Sequence, residues 1–492
     1  MSLISVAHLT FAYEGGLENI FEDVSFQLDT DWKLGFTGRN GRGKTTFLNL
    51  LLGRYEYEGT ISSSVVFEYF PYDVPDDAME TLELIRSVAP GAEEWEIARE
   101  VSLLDAADDV LSRPFCTLSN GERTKVLLAA LFLKEHSFLL IDEPTNHLDM
   151  EARAAVTAYL NRKKGFILVS HDRSFLDACI DHILSINRTN IEVQKGNFSS
   201  WWKNREMREH FERSENERLK KDIARMREAA RRTSDWSDKV EKTKRGVRNS
   251  GLRPDRGYIG HKSAKMAQRS KSIDTRRQSA IEEKSELLRN VEKSDDLKIL
   301  PLVYRSPLLA ELKNVSIRYG SRLACEGVSF TVGRGDRIAL QGRNGSGKSS
   351  ILKLIQGEIL EYGGRLVVGG GMKISYVAQS TDDLQGSPRE YARSSGIDES
   401  LFRAVLDKLD FSKIQFEKDM TDYSGGQKKK VLLARSLCEQ AHLYIWDEPL
   451  NYVDVISRIQ ITELLLEHGP TLLFVEHDRT FVDEVATKIV RL

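Results

Sequence analysis

The sequence predicts an α/β protein that uses one domain twice, with a charged antiparallel two-helix linker between the copies. Three observations predict it. Four motifs recur at a nearly constant offset along the 492 residues. Each copy alternates short β-branched runs with longer helical patterns, as a mostly parallel sheet requires. The roughly 110 residues between the copies have no counterpart and read as helix, loop and returning helix.

The repeat is read directly. GRNGRGKTT at Gly38–Thr46 returns as GRNGSGKSS at Gly342–Ser350, and LSNGE at Leu118–Glu122 as YSGGQ at Tyr423–Gln427. LLIDEPTNHLD at Leu139–Asp149 returns as YIWDEPLNYVD at Tyr444–Asp454, and SHDRSFLD at Ser170–Asp177 as EHDRTFVD at Glu476–Asp483. Lys44 and Lys348 are 304 residues apart, Asp142 and Asp447 305, and His171 and His477 306. A constant offset across four motifs means a duplicated domain. The expected division is 1–198 for the first domain, 199–305 for the linker, with its tip at about 239–277, and 306–492 for the second domain.

Composition narrows the class. The length suits about three domains. Hydrophobic residues make up 40%, enough for globular cores. The four cysteines, Cys116, Cys179, Cys325 and Cys438, form no CxxC pair, so neither a zinc site nor a disulfide framework is indicated. They fit a reducing, cytoplasmic setting. MSLISVAHLTFAYEGG lacks the basic and apolar regions of a signal peptide. No stretch approaches the roughly 18–20 apolar residues that span a bilayer, so no membrane domain is expected.

Each copy carries GxxxxGK[ST] between a strand pattern (KLGFTG in the first) and a helix pattern (TTFLNLLLG). Glycines let such a loop curl so that backbone N–H groups face phosphate. The loop residues Gly38, Asn40, Gly41, Gly43 and Thr46, and Gly342, Asn344, Gly345, Gly347 and Ser350, are therefore expected to cradle the phosphates of a nucleotide, which the resemblance given below implies is ATP. Lys44 and Lys348 would neutralise the β- and γ-phosphates, and Thr45 and Ser349 would offer a hydroxyl to Mg²⁺. Asp142 and Asp447 end apolar strands, where a carboxylate can hold Mg²⁺ through water. Glu143 and Glu448 follow directly and can orient the attacking water. His171 and His477 follow the apolar runs FILVS and LLFVE, placed to contact a γ-phosphate.

With these residues in place, both copies resemble ATP-binding-cassette ATPase domains. The resemblance implies that LSGGQ-like motifs cap the nucleotide of the opposite domain. Ser119, Gly121 and Glu122 would complete the site built on Lys348, and Ser424, Gly425, Gly426 and Gln427 the site built on Lys44. Two ATP molecules would be sandwiched, ATP closing the clamp and hydrolysis opening it. Tyr13 and Tyr319 stand where the family stacks an aromatic on adenine. Gln379 matches the Q-loop glutamine, a nucleotide and Mg²⁺ contact. The first copy departs from the pattern by placing Tyr72 there. Asn120 departs in the first signature motif, and Leu450 and Tyr452 depart in the second cassette. Both sites are expected to hydrolyse ATP, unequally.

The linker carries the charge. Residues 239–277 hold thirteen lysines and arginines against three acids, a net of +10 in a chain whose total is −3. On the ascending arm Leu219, Ile223, Met226 and Ala230 form an amphipathic stripe; on the returning arm Ile273, Ala280, Leu287 and Val291 recur about every seven residues. The arms, 203–238 and 278–298, balance to zero charge, so they read as an antiparallel hairpin with the charge at its tip. Gly251, Pro254, Gly257 and Gly260 break the helix into a loop. A basic loop with an aromatic fits RNA. The expected contacts are Lys242, Lys244, Arg245, Arg248, Arg253, Arg256, Tyr258, Lys262, Lys265, Arg269 and Lys271.

Twin cassettes joined by a charged two-helix linker resemble the ABC-F proteins across essentially the whole chain. The resemblance implies a monomer with intramolecular cassette pairing. Its partner would be the 70S ribosome, bound at the exit-site region with contacts to 23S rRNA and the P-site tRNA, and its linker would point toward the peptidyl-transferase centre. The long tip, the short segment between Lys44 and Ser119, and the lack of an extension past the last strand look most like the Lsa/Vga group. That group protects ribosomes against lincosamides, pleuromutilins and streptogramin A. The alternatives are a housekeeping ABC-F translation factor, the ATPase subunit of a membrane transporter, and a DNA-repair ATPase, whose best-known class carries zinc motifs not found here.

Overall fold

The computed structural model describes residues 2–13, 19–146, 148–187, 190–243, 298–358, 360–409, 411 and 413–492. The chain forms two compact units, one of Met1–Trp201 with Asp295–Leu492 and one of Trp202–Ser294. The first unit contains both halves of the repeat.

The first cassette runs β1 (Leu3–Phe11), β2 (Phe21–Asp29), β3 (Lys33–Thr37), α1 (Lys44–Leu51), β4 (Glu58–Ser62), β5 (Val66–Phe70), α2 (Thr81–Val88), α3 (Glu94–Leu103) and α4 (Asn120–Phe132). It continues through β6 (Ser137–Asp142), α5 (Met150–Asn161), β7 (Phe166–Val169), α6 (Arg173–Cys179), β8 (His182–Asn187) and β9 (Asn190–Lys195). The main sheet has the order β5-β6-β7-β3-β8-β9, parallel but for β9. Its strands are continuous apolar runs because helices cover both faces: β7 (FILV) is buried at all four positions. A small antiparallel sheet, β2-β1-β4, flanks it.

Sheet order creates the site. β3 lies beside β7 and β7 beside β6, with Phe36 and Asp142 both paired to Val169. The chain therefore leaves three adjacent strand ends into Gly38, Glu143 and His171, three residues far apart in sequence. Ligands gather at such carboxyl ends of parallel strands.

After β9 comes α7 (Phe198–Thr243), a single helix of 46 residues, roughly 70 Å at 1.5 Å per residue. Its start is anchored in the first unit by buried Phe198 and Trp201. Of the expected stripe, Ile223 is buried; the side chains of Leu219, Met226 and Ala230 lie outside the described residues. So do the returning arm and every tip residue from Lys244 to Lys271, and Lys242 falls in the last turn of α7 with its side chain undescribed.

The second cassette repeats the plan: β10 (Leu308–Tyr319), β11 (Arg322–Gly333), β12 (Arg337–Gln341), α8 (Lys348–Gln356), β13 (Glu361–Val368), β14 (Ile374–Val377), α9 (Pro388–Ser394), α10 (Glu399–Lys408) and α11 (Lys413–Phe416). Then follow α12 (Gly425–Cys438), β15 (Leu443–Asp447), α13 (Val455–His468), β16 (Leu472–Val475), α14 (Arg479–Val485) and β17 (Lys488–Arg491). Its parallel sheet has the order β14-β15-β16-β12-β17, flanked by β11-β10-β13. Among the described residues, no helix is long and apolar enough to cross a membrane.

Candidate nucleotide sites

Each GxxxxGK[ST] segment is a loop from strand to helix, as the sequence predicts. Gly43 caps α1 at φ 95° and Gly347 caps α8 at φ 84°. Both need the left-handed region, where a β-carbon is strained. At Gly43 one would also lie 2.5 Å from Ile20, and at Gly347 2.8 Å from the Ala324 carbonyl. Both lysines are folded into their loops. Lys44 Nζ donates to the carbonyls of Gly38 (2.7 Å) and Arg39 (3.2 Å) and to Asn40 Oδ1 (3.2 Å). Lys348 Nζ donates to those of Gly342 (2.8 Å) and Arg343 (2.9 Å). Burial lowers both ammonium groups, partly offset by nearby carboxylates.

The acidic strand ends face these loops. Thr45 Oγ1 donates to Asp142 Oδ2 at 3.4 Å, and Ser349 hydrogen-bonds Asp447. Burial raises both aspartates. Asp447 Oδ1 is buried and takes no hydrogen bond among the described residues. A hydroxyl, a carboxylate and an unanswered carboxylate oxygen suit a hard, oxygen-seeking cation. Glu143 and Glu448 adopt left-handed backbone at φ 50° and 47°, uncommon for a non-glycine residue. Their N–H groups donate to Val169 (2.9 Å) and Val475 (3.0 Å) across the sheet, which holds the strained turn. His171 Nε2 lies 3.5 Å from Glu143 Oε1, and His477 Nε2 3.5 Å from Glu448 Oε1.

The two glutamates differ in electrostatics. Burial, with Asp142 alongside, pushes Glu143 up to about 8, and its Oε1 takes no hydrogen bond among the described residues. Burial would also raise Glu448, but His477, Gln379 and Asn451 bring it down to about 2. Gln379 Nε2 donates to Glu448 Oε2 at 3.0 Å and Asn451 Nδ2 at 2.7 Å. In the first cassette the ring of Tyr72 lies 5.8 Å from Lys134 Nζ, and Tyr69 donates to Asp142 Oδ2 at 3.0 Å.

The signature motifs are capping boxes. Glu122 N–H donates to Ser119 Oγ (3.3 Å) and Ser119 N–H to Glu122 Oε2 (2.8 Å). Gln427 N–H donates to Ser424 Oγ (3.4 Å) and Ser424 N–H to Gln427 Oε1 (3.0 Å). Each cap leaves the first turn of its helix, α4 or α12, available to an anion.

The halves face each other crosswise, as the family resemblance implies. A cleft of ≈ 1020 Å³ is lined on one side by Ser119, Asn120, Gly121, Glu122 and Asp149. On the other it is lined by Tyr319, Asn344, Gly345, Gly347, Lys348, Ser349, Ser350, Gln379, Glu448 and His477. At the other site, Asn40 Nδ2 donates to the Tyr452 carbonyl at 2.9 Å, and a β-carbon on Gly426 would lie 3.2 Å from Asn40. Arg153 donates to Asp172 in its own cassette (2.8 Å) and to the His477 carbonyl in the other (3.0 Å). Tyr13 and Tyr319 fix their hydroxyls on Thr46 (2.8 Å) and Ser350 (3.2 Å), leaving rings about half exposed.

Three contributors escape motif reading: Asn451, Arg153 and Tyr69. Asn451 had a signal, since Asn146 matches it in the repeat. Arg153 had one as well, matching Arg458, which donates to Asp478 at 3.0 Å.

Comparison with known proteins agrees with the geometry. Residues 21–146 and 325–451 each match the ABC transporter family. The ribosome protection protein VmlR of Bacillus subtilis (strain 168) is 27% identical over 96% of this chain and 84% of its own. The energy-dependent translational throttle protein EttA of Escherichia coli (strain K12) is 26% identical over 96% and 89%. The archaeal ribosome recycling factor aABCE1, solved with the stalk protein aP1, superposes with a TM-score of 0.61 at 19% identity, covering 98% of this chain and 87% of that one. The chain belongs to the ABC transporter family and is an ATPase with that family's domain in two copies.

Proposed function

We propose that this chain is a cytoplasmic ABC-F ATPase that binds the ribosome in its closed, ATP-loaded state at the tRNA exit site. Its linker tip would reach toward the peptidyl-transferase centre and promote release of lincosamide, pleuromutilin or streptogramin A. The observation that carries the reading is the crosswise pairing of cassettes on the same chain as a net +10 segment. That chain is similar along nearly its whole length to a ribosome protection protein. Thr45 with Asp142, and Ser349 with Asp447 and Gln379, would hold Mg²⁺, which supplies charge neutralisation of the phosphates. Lys44 and Lys348 hold the phosphate loops in shape. Glu448 orients water, ionised and fixed by Gln379 and Asn451. His171 and His477 sit beside the glutamates to meet the γ-phosphate. Hydrolysis then opens the clamp and frees the ribosome.

A Glu143→Gln/Glu448→Gln double variant should pellet with 70S ribosomes in ATP and not in ADP; absence of pelleting at low salt would sink the ribosome reading. Affinity should fall by about 10³–10⁵ between 50 and 200 mM salt if several phosphates are contacted. Expression in a sensitive Gram-positive host should raise resistance to one of the three drug classes. The similarity to EttA favours a second reading, a translation factor without drug resistance. Ribosome binding with unchanged susceptibility would select it.

A further inference from the structure

The halves differ in charge at two buried positions. Lys429 on α12 stands where the first cassette has Thr124, and Glu476, just before His477, stands where it has Ser170. Both side chains are nearly inaccessible, at 2% and 4% exposure. A buried ammonium loses its hydration and is tolerated only where hydrogen-bond acceptors replace the water. Lys429 Nζ donates to the Ala378 carbonyl at 2.8 Å and lies 3.4 Å from the Asp447 carbonyl. Those carbonyls stand at the ends of neighbouring strands β14 and β15, immediately before Gln379 and Glu448. Burial brings the ammonium down to about 8, and Glu476 is the strongest charge opposing that. Glu476 itself accepts the N–H groups of Leu450 (2.8 Å) and His477 (3.0 Å).

Neither charge exists in the first cassette. Thr124 turns its hydroxyl back onto the Asn120 carbonyl at 3.0 Å, and Ser170 Oγ lies 3.4 Å from Thr145 Oγ1. The Q-loop position there is Tyr72. Ammonium, acid and glutamine occur together in one cassette and are missing together in the other.

We propose that Lys429 is a positioning residue for hydrolysis at the site built on Lys348. It ties the ends of β14 and β15 together through their carbonyls and so sets where Gln379 and Glu448 leave the sheet. The inference rests on the reading of Glu448 as the residue that orients the attacking water.

The test is a Lys429→Thr/Glu476→Ser pair, which copies the first cassette at both positions, read beside Glu476→Ser alone, which removes only the acceptor of the Leu450 and His477 N–H groups. In a Glu143→Gln background, steady-state phosphate release should show kcat lower by about 10²-fold, the effect of roughly 1 Å of misplacement. KM for ATP should stay within about threefold, because the phosphate loop is untouched. The residual hydrolysis of a Glu448→Gln background should not respond. A kcat within about twofold of its parent would overturn the proposal. So would an equal loss in both backgrounds with a lowered Tm, which marks a merely structural residue. Glu448→Gln added to the Glu143→Gln background separates the layers. If that change leaves turnover intact, the reading of Glu448 fails and takes the inference with it. If it abolishes turnover while the Lys429/Glu476 pair has no effect, the inference alone fails.

Discussion

Gln379 donates its amide to Glu448 at 3.0 Å, while Tyr72, its counterpart, turns its ring toward Lys134. The Glu448 carboxylate is thus oriented and held well below the ordinary glutamate range, whereas burial beside Asp142 pushes that of Glu143 up. The second site should carry most of the turnover. Glu448→Gln is expected to lower kcat by about 10²-fold or more, the usual range for a general base, and Glu143→Gln by less than about threefold. Phosphate release by the two single variants measures this directly; equal losses would contradict it.

Giving the first site the missing amide should raise its rate. Tyr72→Gln, placed in a Glu448→Gln background, is expected to increase the residual hydrolysis about tenfold, the worth of one well-placed hydrogen bond of about 1.4 kcal/mol. An unchanged rate would mean that the loop path, and not the side chain, sets the difference.

Arg153 bonds both cassettes, whereas Arg343 and Glu151 pair across them at 3.1 Å in open solvent. Arg153→Ala removes the ion-pair partner of Asp172, whose side chain is 4% exposed and keeps only its bonds from Ser174 and Phe175, and should destabilise the protein by about 3 kcal/mol. Arg343→Ala should cost no more than about 1 kcal/mol. Chemical denaturation of the two variants side by side checks the contrast.

Glu100 on α3 accepts from Tyr159 on α5 (2.7 Å), from Lys163 just past the end of α5 (2.5 Å) and from Arg99 (3.1 Å). Burial alone would raise its carboxyl, but Lys163 and Tyr159 hold it below the ordinary value. A carboxylate with a depressed folded pKa contributes stability above its unfolded value of 4.5, and that stability is lost as pH falls through the folded one. Glu100→Gln should therefore destabilise the protein by about 1–3 kcal/mol at pH 7. The gap from wild type should narrow as pH drops below the ordinary glutamate range. Thermal melts of both proteins at pH 7 and pH 4 provide the measurement; a constant gap would exclude the charged network.

The sequence reveals what local chemistry dictates. Phosphate loops, capping boxes and acids at strand ends are contiguous patterns, and their geometry follows from glycine, hydroxyl and carboxylate placed a few residues apart. Crosswise pairing was readable only through family resemblance, and Asn40 on the Tyr452 carbonyl bears it out. The sequence does not reveal contacts that depend on sheet order. Lys429 meets Ala378 because β14 lies beside β15, and Arg153 meets His477 because two cassettes face each other. Tyr72 was visible as a departure, but the destination of its ring was not, since Lys134 is 62 residues away.

Helix α12 touches both nucleotide sites. Its N-terminal turn abuts Asn40, and Lys429, one turn along, grips the strand ends that present Gln379 and Glu448. Both ends lie on one continuous helix, so a shift of its first turn against Asn40 would carry Lys429, and its hold on those strand ends, along with it.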